Sequence, residues 1–264
     1  MIDRRTILTA IPALAACDRL AAAESPPVSA PPLKSVSPAP FGTCIQAGHI
    51  DDPAWVELAR ANVSQLTPEW EMKMEYILRP DGSYRFDAPD RIAAYARASG
   101  KRLYCTTLVW YAQKAPAFAP LERDRPAFER AYRNYILEVA GRYRGQAVAW
   151  DVVNEPVLSD GSGYRESLWS RALGPEHIDL AFAHAAEADP DAARVLNEYD
   201  LEVPAKRAAF MRLAEGLLKR GVPVSVLGTQ SHLNVDLAPG AYRAAMRELA
   251  SLGLPIHISE LDIS

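Results

Sequence analysis

The 264-residue sequence predicts an α/β fold, specifically a (β/α)8 TIM barrel of which about seven β/α units are present. Three observations predict it. Short β-rich segments alternate with longer amphipathic helical segments, which is the pattern of a parallel sheet. The predicted strands are nearly continuous apolar runs, as expected when both faces of the sheet are covered. The length and the 49% hydrophobic content are sufficient for one core of this size.

Seven segments have the apolar and β-branched composition of buried strands. A closed barrel needs eight strands, and the seventh predicted strand is followed by the last residues of the sequence, so we expect a barrel truncated before its eighth strand. The alternative is an open doubly wound sheet, which is less favoured because no glycine-rich phosphate turn follows the first strand. The seven segments are FGTCIQA (41–47), NVSQLT (62–67), RLYCTTLVW (102–110), AVAWDVVN (147–154), ARVLNEY (193–199), VSVLGTQ (224–230) and PIHISEL (255–261).

The segments between these strands carry helix-capping residues. DDPAWVELARA offers Asp51 or Asp52 as the N-cap and places Pro53 in the first turn. The helical segments 87–100 and 203–221 each end on a glycine, which suits the left-handed position after a helix. These signals support helices that connect successive parallel strands.

Residues 1–23 are predicted to be an export signal. Arg4 and Arg5 precede an apolar run too short to span a bilayer, and the two adjacent arginines resemble a twin-arginine signal. LAAC resembles a lipoprotein processing site at which Cys17 is lipidated, and cleavage after the alanines at 21–23 is the alternative. We therefore expect an exported protein, periplasmic or extracellular, either free or anchored to the membrane as a lipoprotein.

Residues 24–40 are rich in Pro and Ser and are predicted to be an unpacked linker, which leaves 41–264 as the barrel domain. We expect Cys44 and Cys105 to be buried free thiols. The formal net charge of -4 provides no broad cationic surface, which argues against nucleic acid as a partner and against a polybasic membrane-surface protein. A monomer is expected.

Two carboxylates are predicted to lie on one face of the barrel. Glu155 follows the fourth strand and Glu260 ends the seventh, and the C-terminal strand ends of a barrel converge. Two acids facing one cleft suit glycoside hydrolysis, in which one protonates the leaving oxygen and the other attacks the sugar or activates water. Taken singly, Glu155 is also explained as a loop or helix-capping acid, and Glu260 as an ion-pair partner.

Other strand ends carry polar and aromatic side chains that suit sugar binding. Residues spaced by two along a strand share a face, so Gln230 and His232 point the same way. A metal-dependent barrel hydrolase is a weaker alternative, because the five histidines form no His-x-His or His-x-x-x-His pair. Further candidates at strand ends are Glu69, Glu71, Lys73, Trp110 and Tyr111.

The two segments that contain Glu155 and Glu260, WDVVNEP and HISELDI, resemble the signature segments of glycoside hydrolase family 10, the retaining endo-β-1,4-xylanases. TPEWEMK, TLVW, NEY and TQSHL resemble the intervening segments of that family in the same order. The resemblance runs from about Phe41 to Ser264. It implies a (β/α)8 barrel that hydrolyses internal β-1,4-xylosidic bonds of xylan and xylo-oligosaccharides by double displacement, without a cofactor.

Carried over to this sequence, the resemblance implies that Glu155 is the acid/base and Glu260 the nucleophile. The other residues that it marks line the sugar sites or support them. They are Asn154, Lys73, Gln230, His232, Trp110 and Glu69 on the glycone side, Tyr199 on the aglycone side, Asn197 in the floor, and Asp262, which would orient His232.

The sequence departs from the family pattern at four positions. Thr106 and Tyr111 stand where the family has histidines, Trp70 stands where it has an asparagine that contacts the second glycone sugar, and Met74 replaces a tryptophan. The catalytic pair is kept while the glycone pocket is altered. Two alternatives to a xylanase therefore remain: a carbohydrate-binding or inactive truncated remnant, and a β-glycanase with a changed sugar preference.

Overall fold

The computed structural model describes residues 30–264. Strands and helices alternate along this part of the chain, as the sequence predicts. The strands are β1 Gly42–Ile45, β2 Gln65–Pro68, β3 Arg102–Cys105, β4 Val109–Trp110, β5 Ala147–Asn154, β6 Ala193–Glu198, β7 Val226–Thr229, β8 His232–Leu233, β9 Ile256–Ile258 and β10 Asp262–Ile263. The helices are α1 Leu33–Val36, α2 Pro53–Asn62, α3 Met74–Ile77, α4 Asp87–Ala98, α5 Arg125–Arg142, α6 Leu168–Leu173, α7 His177–Ala188, α8 Pro204–Lys219 and α9 Ala241–Ala250, with 3₁₀ turns at Ala47–Asp51 and Ala119–Leu121.

The main sheet is parallel and has the order β1-β2-β3-β5-β6-β7-β9, with β4 added beside β5. Each strand on the main path lies next to the strand before it, and the order never reverses. A doubly wound sheet reverses its order at a switch point, so this topology excludes that alternative and confirms an incomplete barrel of seven strands. The short strands β8 and β10 form a separate parallel pair beyond the ends of β7 and β9.

Local sequence signals account for the helix boundaries. At the start of α2, the Asp52 carboxylate accepts hydrogen bonds from the backbone N–H groups of Ala54 and Trp55, and Pro53 occupies the first turn. Asp124 caps α5 through the N–H of Ala127 in the same way. These caps satisfy donors that have no partner within the helix, and they fix where each helix leaves the preceding loop.

The core lies between the sheet and the outer helices. In β5, every residue from Ala149 to Asn154 is buried, including Trp150, which is 1% exposed. The strand therefore contacts packed side chains on both faces, and it delivers its last residues to the C-terminal face of the barrel at a fixed position. No helix within residues 30–264 combines the length and apolar character needed to cross a membrane.

The predicted linker 24–40 contains one short helix. Within the predicted linker 24–40, Leu33–Val36 form α1, whose Leu33 N–H donates to Asn62 Oδ1 at 3.2 Å and whose Lys34 Nζ donates to the Arg60 carbonyl at 2.6 Å. The Pro-free stretch is long enough for one helical turn, which the composition argument overlooked. The predicted export signal (1–23) and the first part of the linker lie outside the described residues.

The prediction that both cysteines are buried is wrong for Cys44. It is a free thiol as predicted, but it is exposed, whereas Cys105 is free and buried. The cause is topological, since β1 stands at the end of the strand order and has only β2 as a neighbour. Partial burial, together with the hydrogen bond and charge of Glu69, raises the pKa of the Cys44 thiol to about 11.

Candidate active site

Glu155 lies immediately after β5, and three donors hold its carboxylate. Trp110 Nε1 donates to Oε2 at 2.9 Å, while Gln230 Nε2 and Asn154 Nδ2 donate to Oε1 at 2.8 and 3.2 Å. The residue is 8% exposed and has a φ of 55°, a left-handed conformation that is strained for a side chain of this kind. Its backbone N–H is anchored on the Asn197 carbonyl at 2.9 Å. Oε2 accepts one hydrogen bond and Oε1 two, so Oε2 keeps a free position for proton transfer.

Glu260 lies between β9 and β10, and its N–H donates to the Gln230 carbonyl at 3.1 Å. Its Oε2 is 3.4 Å from His232 Nε2. Burial raises the pKa of Glu260 above its ordinary value and the charge of Glu155 acts in the same direction, while His232 and Lys73 oppose them. The side chain is still 41% exposed, so solvent reaches the carboxylate from the open side of the cleft and limits this rise. An accessible, ionisable carboxylate is what a nucleophile requires.

His232 connects Glu260 to a second acid. The parallel pairing of β8 with β10 brings His232 opposite Asp262, and His232 Nδ1 lies 2.9 Å from Asp262 Oδ2. Burial lowers the pKa of His232, but the hydrogen bond and charge of Asp262 and the charge of Glu260 outweigh that effect and raise it overall. When protonated, the imidazolium donates to Asp262 and forms a charged contact with Glu260, which fixes the ring beside Glu260.

A buried amide network supports the floor beneath Glu155. Asn197 is fully buried, donates through Nδ2 to Asn154 Oδ1 at 3.0 Å, and accepts at Oδ1 from Ser259 Oγ at 3.0 Å. A Cβ on Gly228 would lie 2.3 Å from Asn197 Oδ1, so only glycine leaves room for the amide. Sequence reasoning missed Gly228 and Ser259, although a glycine inside the strand VSVLGTQ is itself a signal of close approach.

Lys73 lies between two tryptophans. Its Nζ is 4.1 Å from the centroid of the Trp70 ring and 5.5 Å from that of Trp110, both within the range of cation–π attraction. The Trp70 side chain is 45% exposed, so its ring remains available to a ligand. A continuous path of contacts therefore runs from Glu155 through Trp110 and Lys73 to Trp70.

Glu69 and Glu71 have different environments although they are neighbours in the sequence. Glu69 is half-buried beside Cys44. Glu71 is buried and accepts from the Ala47 N–H at 2.7 Å, which fixes the turn after β1. Within residues 30–264, Glu69 makes no hydrogen bond to Glu155 or Glu260.

Tyr199 lies in a separate cluster of aromatic and basic side chains. Its hydroxyl contacts Ser159 Oγ at 2.7 Å and accepts from Arg165 Nη2. The Arg165 guanidinium lies 4.2 Å from the centroid of the Tyr111 ring, so one arginine joins the two tyrosines. Sequence reasoning missed Arg165, because a lone arginine in a loop carries no motif.

A buried ion pair lies beneath this cluster. Lys206 Nζ is 2.9 Å from Glu198 Oε1, and both side chains are fully buried. The angle at the ammonium is poor for a hydrogen bond, so the contact is mainly electrostatic. Burial raises the pKa of Glu198, and the charge of Lys206 opposes that rise. Glu198 also accepts from the Val157 N–H at 2.9 Å, so the pair ties β6 to the loop that follows Glu155.

Thr106 lies beside a buried carboxylate inside the barrel. The Thr106 side chain hydrogen-bonds to the buried carboxylate of Asp151, which also accepts from the Tyr104 hydroxyl. Burial raises the pKa of Asp151 to about 7, with these hydrogen bonds opposing it and the charges of Glu260 and Glu155 adding to it.

The predicted residues fall into three groups. One surrounds Glu155, one centres on Glu260, and the third, around Tyr199, contacts neither carboxylate through a hydrogen bond among the described residues. Within residues 30–264, no three His, Cys, Asp or Glu side chains are arranged to hold a metal ion. The first group contains Glu155, Asn154, Trp110 and Gln230, with Asn197 below it; the second contains Glu260, His232 and Asp262; Lys73 adjoins both, and Glu69 lies to one side.

Two carboxylates presented from different strand ends of a barrel, one of them held by three donors, are the arrangement expected of a two-carboxylate glycoside hydrolase. The chain belongs to glycosyl hydrolase family 10, whose family model matches residues 33–264. Endo-1,4-beta-xylanase A of Humicola insolens is 38% identical over 200 residues, which cover 75% of this chain and 53% of that protein. Endo-1,4-beta-xylanase A of a Caldicellulosiruptor species is 34% identical over 237 residues, covering 85% of this chain and 35% of that protein. The chain thus spans about half or less of the length of these two curated relatives.

Solved structures give the same result. The intracellular xylanase TsXylA of Thermoanaerobacterium saccharolyticum, solved as a mutant in complex with xylotriose, superimposes with a TM-score of 0.82 at 30% identity. The superposition covers 89% of this chain and 78% of that one. The seven-strand barrel of this chain therefore matches most of that solved xylanase chain.

Proposed function

We propose that this protein is a retaining endo-β-1,4-xylanase that hydrolyses internal β-1,4-xylosidic bonds of xylan and xylo-oligosaccharides. The observation that carries the proposal is the contrast between the two glutamates: Glu155 is buried and held by three donors, whereas Glu260 is accessible and lies beside His232. A held acid and an exposed nucleophile are the two groups that double displacement needs. The xylanase names of its relatives support xylan as the substrate.

In the proposed mechanism, Glu260 attacks the anomeric carbon while Glu155 delivers a proton from Oε2 to the departing glycosidic oxygen. A covalent glycosyl ester forms on Glu260, and the glycosidic bond breaks. Glu155, now ionised, takes a proton from water, which attacks the ester and releases Glu260. His232 keeps Glu260 charged and oriented, and Asn154, next to Glu155, is placed to bond the sugar hydroxyl adjacent to the reacting carbon.

The experiment measures reducing ends released from β-1,4-xylan by the full chain and by Glu155→Gln, Glu260→Gln and the surface control Glu57→Gln. We expect each site variant to lose at least about a hundredfold in rate, as removal of a general acid or a nucleophile does, and the control to keep its activity. Release by Glu260→Gln at the rate of the unchanged protein would overturn the proposal.

A changed sugar preference is the second candidate, because exposed Trp70 offers a stacking surface where the family has a hydrogen-bonding amide. The same assay on β-1,4-glucan, β-1,4-mannan and decorated xylans distinguishes it. Turnover of another β-glycan through the same two glutamates, without turnover of xylan, would keep the mechanism and replace the substrate. Binding of xylo-oligosaccharides with no release of reducing ends would favour a binding remnant instead.

We further propose that the protein is exported, acts as a monomer, and is lipidated at Cys17. The support is the sequence LAAC that follows the paired arginines and the apolar run. Expression in a suitable bacterium should leave the protein in the membrane fraction, and Cys17→Ala should release it. Soluble, leader-cleaved protein in both cases would reject lipidation and retain export. Size-exclusion chromatography tests the monomer.

A further inference from the structure

A cavity lies beside Trp70, at the end of the contact path that begins at Glu155. Its volume is about 510 Å³, which is within the range of small-molecule pockets. Two aromatic side chains that line it, Trp70 and Tyr76, are 45% and 38% exposed. Lys73 lies over the Trp70 ring and Arg85 over the Tyr76 ring, so the exposed remainder of each ring provides the stacking surface for a sugar.

The charged side chains around this cavity are mostly basic. Arg79, Arg85 and Lys114 line it, against the single carboxylate of Glu75, so the local charge is +2 (three minus one). The chain as a whole carries -4, so the positive charge here is local. An anionic ligand is therefore attracted to this cavity and not to the surface in general.

The basic groups keep donors available. Arg85 uses Nε to hold the Tyr76 carbonyl at 3.0 Å, and its guanidinium lies 4.5 Å from the centroid of the Tyr76 ring, which fixes the arginine without using its terminal nitrogens. Arg79 Nη1 has only a long contact of 3.4 Å to Ser83 Oγ. A planar guanidinium with free N–H groups bonds a carboxylate in a fork, with stronger bonds than neutral donors make.

The cavity adjoins the catalytic site through the path already described. Trp70 lines the cavity and contacts Lys73, Lys73 contacts Trp110, and Trp110 donates to Glu155. One glycan chain bound along this path would reach both the carboxylate pair and the basic cavity. The ligand of the cavity is then part of the same polymer as the bond being cut.

We propose that this cavity binds a hexuronate group carried by the glycan substrate, with the sugar ring on Trp70 or Tyr76 and its carboxylate on the cations. The identity of the glycan as xylan rests on the proposed function, whereas the recognition of a carboxylated sugar rests on the side chains that line the cavity. Aromatic faces beside paired guanidinium groups recognise a carboxylated sugar, whereas a small inorganic anion would use only the charges. The chain is thus inferred to prefer acidic over neutral glycan.

The test is a calorimetric titration of full-length Glu260→Gln, which cannot turn the ligand over. The ligands are linear xylotetraose and the same oligosaccharide bearing one glucuronate. We expect the acidic ligand to bind about fivefold more tightly at low salt, as an accessible ion pair allows, and the ratio to fall towards one in 0.5 M NaCl. In the Glu260→Gln background, a further Arg79→Gln or Lys114→Gln substitution should bring the ratio of affinities to about one. Glu75→Gln should increase the ratio, and the surface control Lys219→Gln should leave it unchanged.

Equal affinities for the two ligands, a ratio insensitive to salt, or no binding of either would overturn the inference. Because the measurement is made without turnover, it is independent of the proposed function. If the unchanged protein hydrolyses xylotetraose but the affinities are equal, the cavity proposal fails alone. If neither ligand is hydrolysed while the acidic one binds more tightly, the xylanase proposal fails and the anionic site stands.

Discussion

One added methyl group at Gly228 should disturb catalysis without touching a catalytic residue. In Gly228→Ala the new Cβ would lie 2.3 Å from Asn197 Oδ1 and 2.9 Å from both Asn197 Cγ and Val195 Cγ1. All three atoms belong to buried side chains inside the sheet. Since the clash cannot be relieved towards solvent, the Asn197 amide has to rotate or the strands have to separate.

The magnitude follows from what Asn197 holds. Overpacking a buried site costs about 1–3 kcal/mol of unfolding free energy. Rotation also breaks the 3.0 Å bonds to Asn154 and Ser259, and an unsatisfied buried polar group costs about 1–3 kcal/mol. We therefore expect a loss of about 2–6 kcal/mol of unfolding free energy. Release of Asn154 loosens one of the three donors on Glu155, and a misplacement near 1 Å lowers turnover by up to about a hundredfold.

Urea unfolding and the rate of reducing-end release measure the two effects in Gly228→Ala. Gly141→Ala is the matched control, because a Cβ there meets nothing within 4 Å and alanine suits its position in α5. The control should keep full activity and gain up to about 1 kcal/mol in unfolding free energy. If Gly228→Ala matched the control in both measurements, the role assigned to the amide network would be wrong.

Three further changes have definite expected outcomes. His232→Asn removes the group that lowers the pKa of Glu260, so that pKa rises and the acidic limb of the kcat/KM–pH profile should move to higher pH. Lys206→Met leaves Glu198 buried without its partner and should cost about 3–5 kcal/mol in urea unfolding. Thr106→His extends a donor further into the glycone pocket and should raise kcat/KM on xylan by up to about tenfold.

A specific result would contradict the expectation for each of these three variants. An acidic limb that stays in place or moves to lower pH in His232→Asn would reject the coupling to Glu260. Glu198 has a folded-state pKa above its unfolded value, so the folded protein binds the extra proton, and Lys206→Met should lose more stability at pH 8 than at pH 5. Adding Glu198→Gln should restore most of that loss, and failure to restore it would rule out the buried charge as the cause. Lower activity on xylan in Thr106→His would show that losing the contact of Thr106 with Asp151 costs more activity than the longer histidine donor provides.

The barrel could be predicted because its strands carry their own signals. The run AVAWDVVN is apolar on both faces, and the structure buries both faces of β5. The position of Glu155 after this strand followed from that assignment together with the rule that strand ends converge. Helix α2 could be predicted equally well, since its aspartate cap and its proline are local features of the sequence.

The remaining features depend on contacts that no local pattern reveals. The pair Lys206–Glu198 joins a helix to a strand end, and neither residue alone differs from an ordinary surface charge in sequence. The short strands β8 and β10 have two residues each, too few for a periodicity, yet they bring His232 opposite Asp262. Helix α1 was missed for the same reason, because its four residues, in a five-residue stretch between Pro32 and Pro38, are too few for a helical periodicity.

Covalent trapping identifies directly the carboxylate that attacks the sugar. The full chain is incubated with a xylobioside that carries fluorine at C2 and a reactive leaving group, so that the glycosyl-enzyme forms faster than it hydrolyses, and the adduct is located by peptide mass spectrometry. With Glu260 as the nucleophile, we expect one fluoroxylobiosyl group, attached to Glu260 and absent from Glu260→Gln. Cleavage of xylan with no adduct, or an adduct on any other residue, would rule out this role of Glu260.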